Sequence, residues 1–182
     1  MGRKTGVAAT DARWGQLKLE RARIEFQHGG TELAVRQIDR LLAECQRNAW
    51  HRLLRDGLLL RAEIATRRGA HEAAAEDLVA VRKTANAAPD RVGQGLAALG
   101  LGRIARVKGH LDDAFELIAG ACKSLVGREL ELDLATCWRE MGSIELQLGE
   151  AARAEAFFAK ARAVFERRGR TLDVAGCLNW QA

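Results

Sequence analysis

Four segments of this chain align with one another without a gap, and their starts, Ala22, Ala62, Gly102 and Gly142, are 40 residues apart each time. An isoleucine recurs at Ile24, Ile64, Ile104 and Ile144, and a glycine at Gly29, Gly69, Gly109 and Gly149. Five residues after each glycine stands Ala34, Ala74, Ala114 or Ala154; four further on comes Ile38, Leu78, Ile118 or Phe158. Such an array severely limits what the chain can fold into. Each copy is one supersecondary unit that cannot bury its apolar face alone and must stack on its neighbours.

The columns also say what the unit is. Apolar residues recur at three- and four-residue spacing on both sides of each glycine, so each copy is two amphipathic helices. The glycine ends the first helix, where a left-handed backbone is cheap only for Gly. Glu32, Glu72 and Asp112 follow in the first turn of the second helix, where the helix dipole favours negative charge, and Glu150 stands nearby in the fourth copy. The small column marks close approach of the two helices. Composition agrees, with a single proline, Pro89, and abundant Ala, Leu, Arg and Glu. First helices are expected at about 12–28, 51–68, 91–108 and 131–148, and second helices at about 31–46, 71–86, 111–125 and 151–168. Gly93, Gly95, Gly100 and Gly102 crowd the third first helix, each costing about 1 kcal/mol relative to Ala.

These columns resemble the tetratricopeptide repeat, in the 40-residue variety of bacterial regulatory proteins. Trp138, four residues before Gly142, falls where that family has its Trp, and Ala161 falls where it has a further Ala. The period is 40 rather than about 34, and the proline at the repeat end is missing. The resemblance implies an all-α fold: an α-solenoid, a right-handed superhelix of four helix-turn-helix repeats plus a terminal capping helix. It implies a protein-interaction scaffold rather than an enzyme. By family register the groove is lined by Arg23, Phe26, Gln27, Leu59, Glu63, Arg67, Leu99, Arg103, Arg106, Arg139, Ser143 and Leu146. Leu and Phe beside Arg suit a peptide or helical partner bearing acids and apolar anchors. The Lys and Asn positions with which chaperone-binding relatives clamp a C-terminal carboxylate hold Leu19, Arg23, Leu59 and Glu63 here, which disfavours that use. The alternative function is the sensor domain of a bacterial transcriptional regulator, binding a small molecule or signalling peptide.

Residues 1–11 read as a flexible basic tail and 12–182 as one solenoid domain, with repeats at about 12–50, 51–90, 91–130 and 131–170. A fifth copy starts and stops: Leu172-Asp-Val-Ala-Gly-Cys177 matches Leu132-Asp-Leu-Ala-Thr-Cys137 at the same offset. Residues 171–182 are therefore expected to cap the array. One helix cannot turn all its apolar residues inward, so Leu178 and Trp180 are expected at an end contact, with another copy of the chain or the rest of a longer protein.

Other functional signals are weak. Gly100-x-Gly102-x-x-Ala105 imitates a dinucleotide fingerprint but lies in mid-helix with no preceding strand, so no cofactor is expected. His28, His71 and His110 stand beside turn glycines and read as exposed turn residues. Cys45, Cys122, Cys137 and Cys177 lack metal or disulfide spacing and read as reduced thiols of a cytoplasmic protein. Glu129, Glu131 and Asp133 read as helix-dipole partners rather than a catalytic cluster. The net charge is +5, but no block of like charge appears among the 24 acids, so nucleic acid is disfavoured. No apolar run reaches membrane-spanning length.

Overall fold

The structure, a computed structural model, describes the backbone of residues 5–87, 89–127 and 130–178, with side chains from residue 12 onward. The chain is all-α, and among the described residues there are nine helices and no strand, packed as sequential antiparallel pairs. It divides into two compact units, residues 1–88 and 89–182.

The first unit holds α1 (Thr5–Gln27), α2 (Thr31–Asn48), α3 (His51–Arg67) and α4 (His71–Ala87). Here α1 pairs with α2, α3 pairs with α4, and α2 packs on α3. The backbone of α1 is already helical within the segment expected as a tail. In the second unit, α5 (Arg91–Val107) pairs with α6 (Leu111–Ser124), and α7 (Glu131–Gln147) pairs with α8 (Ala151–Arg167). The short α9 (Thr171–Leu178) packs on α8.

The turn glycines end the first helices for the expected reason. Gly29, Gly69, Gly109 and Gly149 have φ of 89°, 75°, 81° and 84°. In every repeat the amide after the glycine closes on the carbonyl five residues back: Gly30 to Glu25, Ala70 to Ala65 and His110 to Ala105 at 2.9 Å, and Glu150 to Glu145 at 2.8 Å. This is the Schellman closure of a helix C-terminus.

The small column does the packing. Ala22 and Ala62 are buried. A Cβ on Gly102 would lie 2.5 Å from Ile118 Cγ1, and one on Gly142 would lie 2.9 Å from the Phe158 ring. The small residue of each first helix thus admits the bulky residue of the second, and the largest, Phe158, faces a glycine. Two cores result in the second unit. One gathers Leu99, Ala114, Ile118, Ala121, Leu125, Cys137, Met141 and Ile144; the other gathers Ala135, Ala154, Phe158, Ala161, Val164, Phe165 and Cys177.

One column departs from its repeat. Ile64, Ile104 and Ile144 are 1%, 4% and 0% exposed, but Ile24 is 54% exposed. Ile144 lies in the core that α5, α6 and α7 share.

Candidate partner-binding faces

In the first unit, side chains of α1 and α3 meet. The Arg67 guanidinium lies over the Phe26 ring, 5.1 Å from its centroid. Its Nη2 donates to Glu63 Oε1 at 2.9 Å, one helical turn away. Arg23 pairs loosely with Glu20 at 3.8 Å, Gln27 is exposed and Leu59 is half-buried. Phe26, Glu63 and Arg67 therefore form one patch, an aromatic face under an Arg whose side chain is 66% exposed. Trp50, between the first two repeats, lies against α1 at Gly15.

The second unit arranges its arginines around one acid. Glu140 of α7 is 4% exposed. Arg103 Nε, Arg106 Nη2 and Arg139 Nη2 stand 3.3, 3.1 and 3.5 Å from its carboxylate oxygens. Arg139 also holds Asp173 of α9 at 2.7 Å and lies 5.8 Å from the Phe165 ring centroid. Asp173 pairs with Arg170 at 2.9 Å. Burying a carboxylate is costly unless it is paired and hydrogen-bonded, and Glu140 meets that demand threefold. The cluster holds four guanidiniums, Arg103, Arg106, Arg139 and Arg170, against two carboxylates, Glu140 and Asp173. It keeps positive charge, and Arg103 is its most open member after Arg170, with its side chain 40% exposed.

The remaining expected residues divide. Ser143 turns its hydroxyl back to the Arg139 carbonyl at 3.1 Å, and Leu146 is exposed. Leu99 is corrected: it is 7% exposed, inside the core with α6 and α7 residues, because the face of α5 that carries it turns toward those helices. At the chain's far end Leu172 is 88% and Leu178 39% exposed; Trp180 lies outside the described residues, as does Glu129.

Two polar centres escaped the sequence. Glu140 is one. The other is Arg61, which links Asp77 on α4, at 2.7 and 2.8 Å, to Asp39 on α2, at 2.6 Å. The Asp77 hydrogen bonds above all, then Asp39, hold this guanidinium charged beyond its ordinary range against the opposing effect of burial. The repeat does not announce either centre: the Glu140 column reads Glu20, Leu60, Gly100 and Glu140, with Glu20 exposed, and the Asp77 column reads Gln37, Asp77, Leu117 and Phe157.

Among the described residues no group of three His, Cys, Asp or Glu side chains is placed to hold a metal ion, and no helix is long and apolar enough to cross a membrane.

No family model and no curated protein sequence matches the chain. Solved structures do. MamA is similar with a TM-score of 0.52 and 16% identity, over 88% of this chain and 94% of that one. BtubC from P. vanneervenii is similar with a TM-score of 0.50 and 16% identity, over 94% of this chain and 88% of that one. Both are tetratricopeptide proteins, and the chain shares their fold of helical hairpin repeats.

Proposed function

We propose that this protein is an interaction scaffold that takes a protein segment bearing acids and apolar anchors on the faces of its first helices. One observation carries the proposal: the surplus of guanidinium over carboxylate around Glu140, with Arg103 open to solvent and the exposed Leu146 on the adjacent α7. The Arg67–Phe26 patch offers the same pairing of cation and apolar face in the first unit. Arginine forks orient a carboxylate, and apolar anchors supply most of the affinity. The 40-residue period, shared with repeats of bacterial regulatory proteins, supports a place in a cytoplasmic regulatory assembly.

The test must spare the arginines that hold the fold. Arg103, Arg106 and Arg139 all face the buried Glu140, so reversing any of them would disrupt the second unit as well as its surface. Arg67 is the informative position for charge reversal, and Arg103, the most exposed of the three, is tested by the neutral Arg103→Gln. Titration against a set of acidic peptides containing Leu or Phe is expected to find binders that Arg67→Glu or Arg103→Gln weakens about tenfold or more, the scale of a lost charge-assisted hydrogen bond. Reversal at the second-helix positions Arg36 or Lys160 is expected to leave binding unchanged. Equal losses from both sets would reduce the interaction to nonspecific charge attraction.

A further inference from the structure

Helices α6 and α7 bring three sulfur atoms together. Cys122 of α6 is half-buried and packs on the core that contains Cys137 and Met141 of α7. Its thiol faces the Met141 thioether, with the sulfurs 3.9 Å apart. Cys137, one helical turn before Met141 on α7, belongs to the same core on which Cys122 packs. The other two cysteines, Cys45 and Cys177, are buried in separate places, Cys45 in the first unit and Cys177 in the core of α7, α8 and α9.

The pair is asymmetric. Cys122 reaches solvent, while Cys137 is 0% exposed. As a thiol, Cys122 donates toward Met141. Hydrogen bonding with Cys137 holds Cys122 below the usual thiol range, against the upward push of burial. Cys137 is pushed up, first by the same hydrogen bond and then by burial, with Asp133 and Glu140 adding to the effect. An accessible, thiolate-prone cysteine beside a buried protonated one matches the division between an attacking and a resolving thiol.

We propose that Cys122 and Cys137 form a dithiol that a hydroperoxide oxidises to a disulfide between α6 and α7, with Cys122 as the attacking residue. The Cys122 thiolate attacks the outer peroxide oxygen. The S–O bond forms, the O–O bond breaks, and the leaving oxygen takes a proton from solvent and departs as an alcohol, or as water when the oxidant is hydrogen peroxide. Cys137 sulfur then attacks the Cys122 sulfenic acid. The S–S bond forms, the S–O bond breaks, and the hydroxyl leaves with the Cys137 proton as water. Two electrons pass from the two thiols to the peroxide. The product carries no charge into the core, and it ties the third repeat to the fourth by a covalent bond.

The experiment exposes the reduced full-length chain to hydrogen peroxide, then unfolds it, alkylates the remaining thiols and measures its mass. The expected product is lighter by about 2 Da before alkylation, accepts label only at Cys45 and Cys177, and yields a Cys122–Cys137 linked peptide. Cys137→Ala is expected to stop at the sulfenic acid, trapped on Cys122 by dimedone. Cys122→Ser is expected to react at least about tenfold more slowly than the parent, since the accessible thiolate is gone. Circular dichroism establishes that each variant is folded, and Cys137→Ser replaces Cys137→Ala if the latter is not. A bond joining any other pair or two chains, four thiols surviving peroxide, or oxidation of Cys122→Ser at the parent's rate would each overturn the proposal.

Discussion

Asp133 shows two local forces in opposition at a single residue. It stands in the first turn of α7, where the helix dipole favours a carboxylate. The sequence shows only that position, so the dipole is all it can credit. Burial of the side chain acts the other way and prevails, raising the Asp133 pKa above the ordinary carboxylate value. The consequence for stability has a definite sign. Between the unfolded pKa and the raised folded one, the folded state binds more protons, so stability falls as pH rises through that window. At neutral pH the ionised Asp133 is therefore a net cost. Asp133→Asn is expected to stabilise the protein at neutral pH, with the advantage shrinking as acid protonates the parent residue. Urea unfolding of both proteins at neutral and acidic pH measures this; an advantage that is absent or grows with acid would refute it. Glu131, its neighbour in the same turn, is held differently, by Arg168 at 2.8 Å and Arg167 at 3.1 Å.

At the scale of a helix, the sequence was informative wherever backbone geometry dictated residue type. The boundaries of α2 to α8 fall within about two residues of expectation, because each first helix must end on a left-handed residue and the chain supplies Gly at that step. It was less informative about faces. Leu99 shares a helix with Arg103 and Arg106, and only the packed positions of α6 and α7 decide which of them is buried. The partners of Glu140 on α5, Arg103 and Arg106, are most of a repeat away in sequence, a relation that no local pattern encodes. Glycines within helices separate the two kinds of information. Gly120 in α6 has open space where a Cβ would go, so Gly120→Ala is expected to stabilise by about 0.5–1 kcal/mol through propensity alone. Gly102 in α5 offers the same gain, but its Cβ would meet Ile118 and, at 3.1 Å, the Ala114 carbonyl oxygen. Gly102→Ala is therefore expected to destabilise by about 1–3 kcal/mol, the range for overpacking a core. Thermal unfolding that shifted both variants the same way would show that the close approach is not a constraint.

At the scale of the molecule, the joints inside the second unit repeat one another, and α9 makes the equivalence concrete. It seats Cys177, 1% exposed, against α8 in the register in which α7 seats Cys137, 0% exposed, against α6. A second helix thus presents a surface that the start of another first helix can close. The sequence carries this pattern at a 40-residue period, so one period is the expected step by which the array can be shortened. A chain lacking residues 131–170 brings α9 directly after the α6 connection, with Cys177 on the Cys137 position. It is expected to remain helical per residue and to unfold cooperatively, since stability in such arrays is a sum over repeats and their nearest interfaces. A deletion of about 30 residues removes a comparable mass but slips every column out of phase, and it is expected to yield a chain without a cooperative transition. Calorimetry on the two shortened proteins tells them apart; equal behaviour would mean that composition, and not phase, holds the array together. The 40-residue interval thus sets the unit in which whole repeats can be gained or lost with every column kept in phase, whereas a change of another size inside the helices would break that phase.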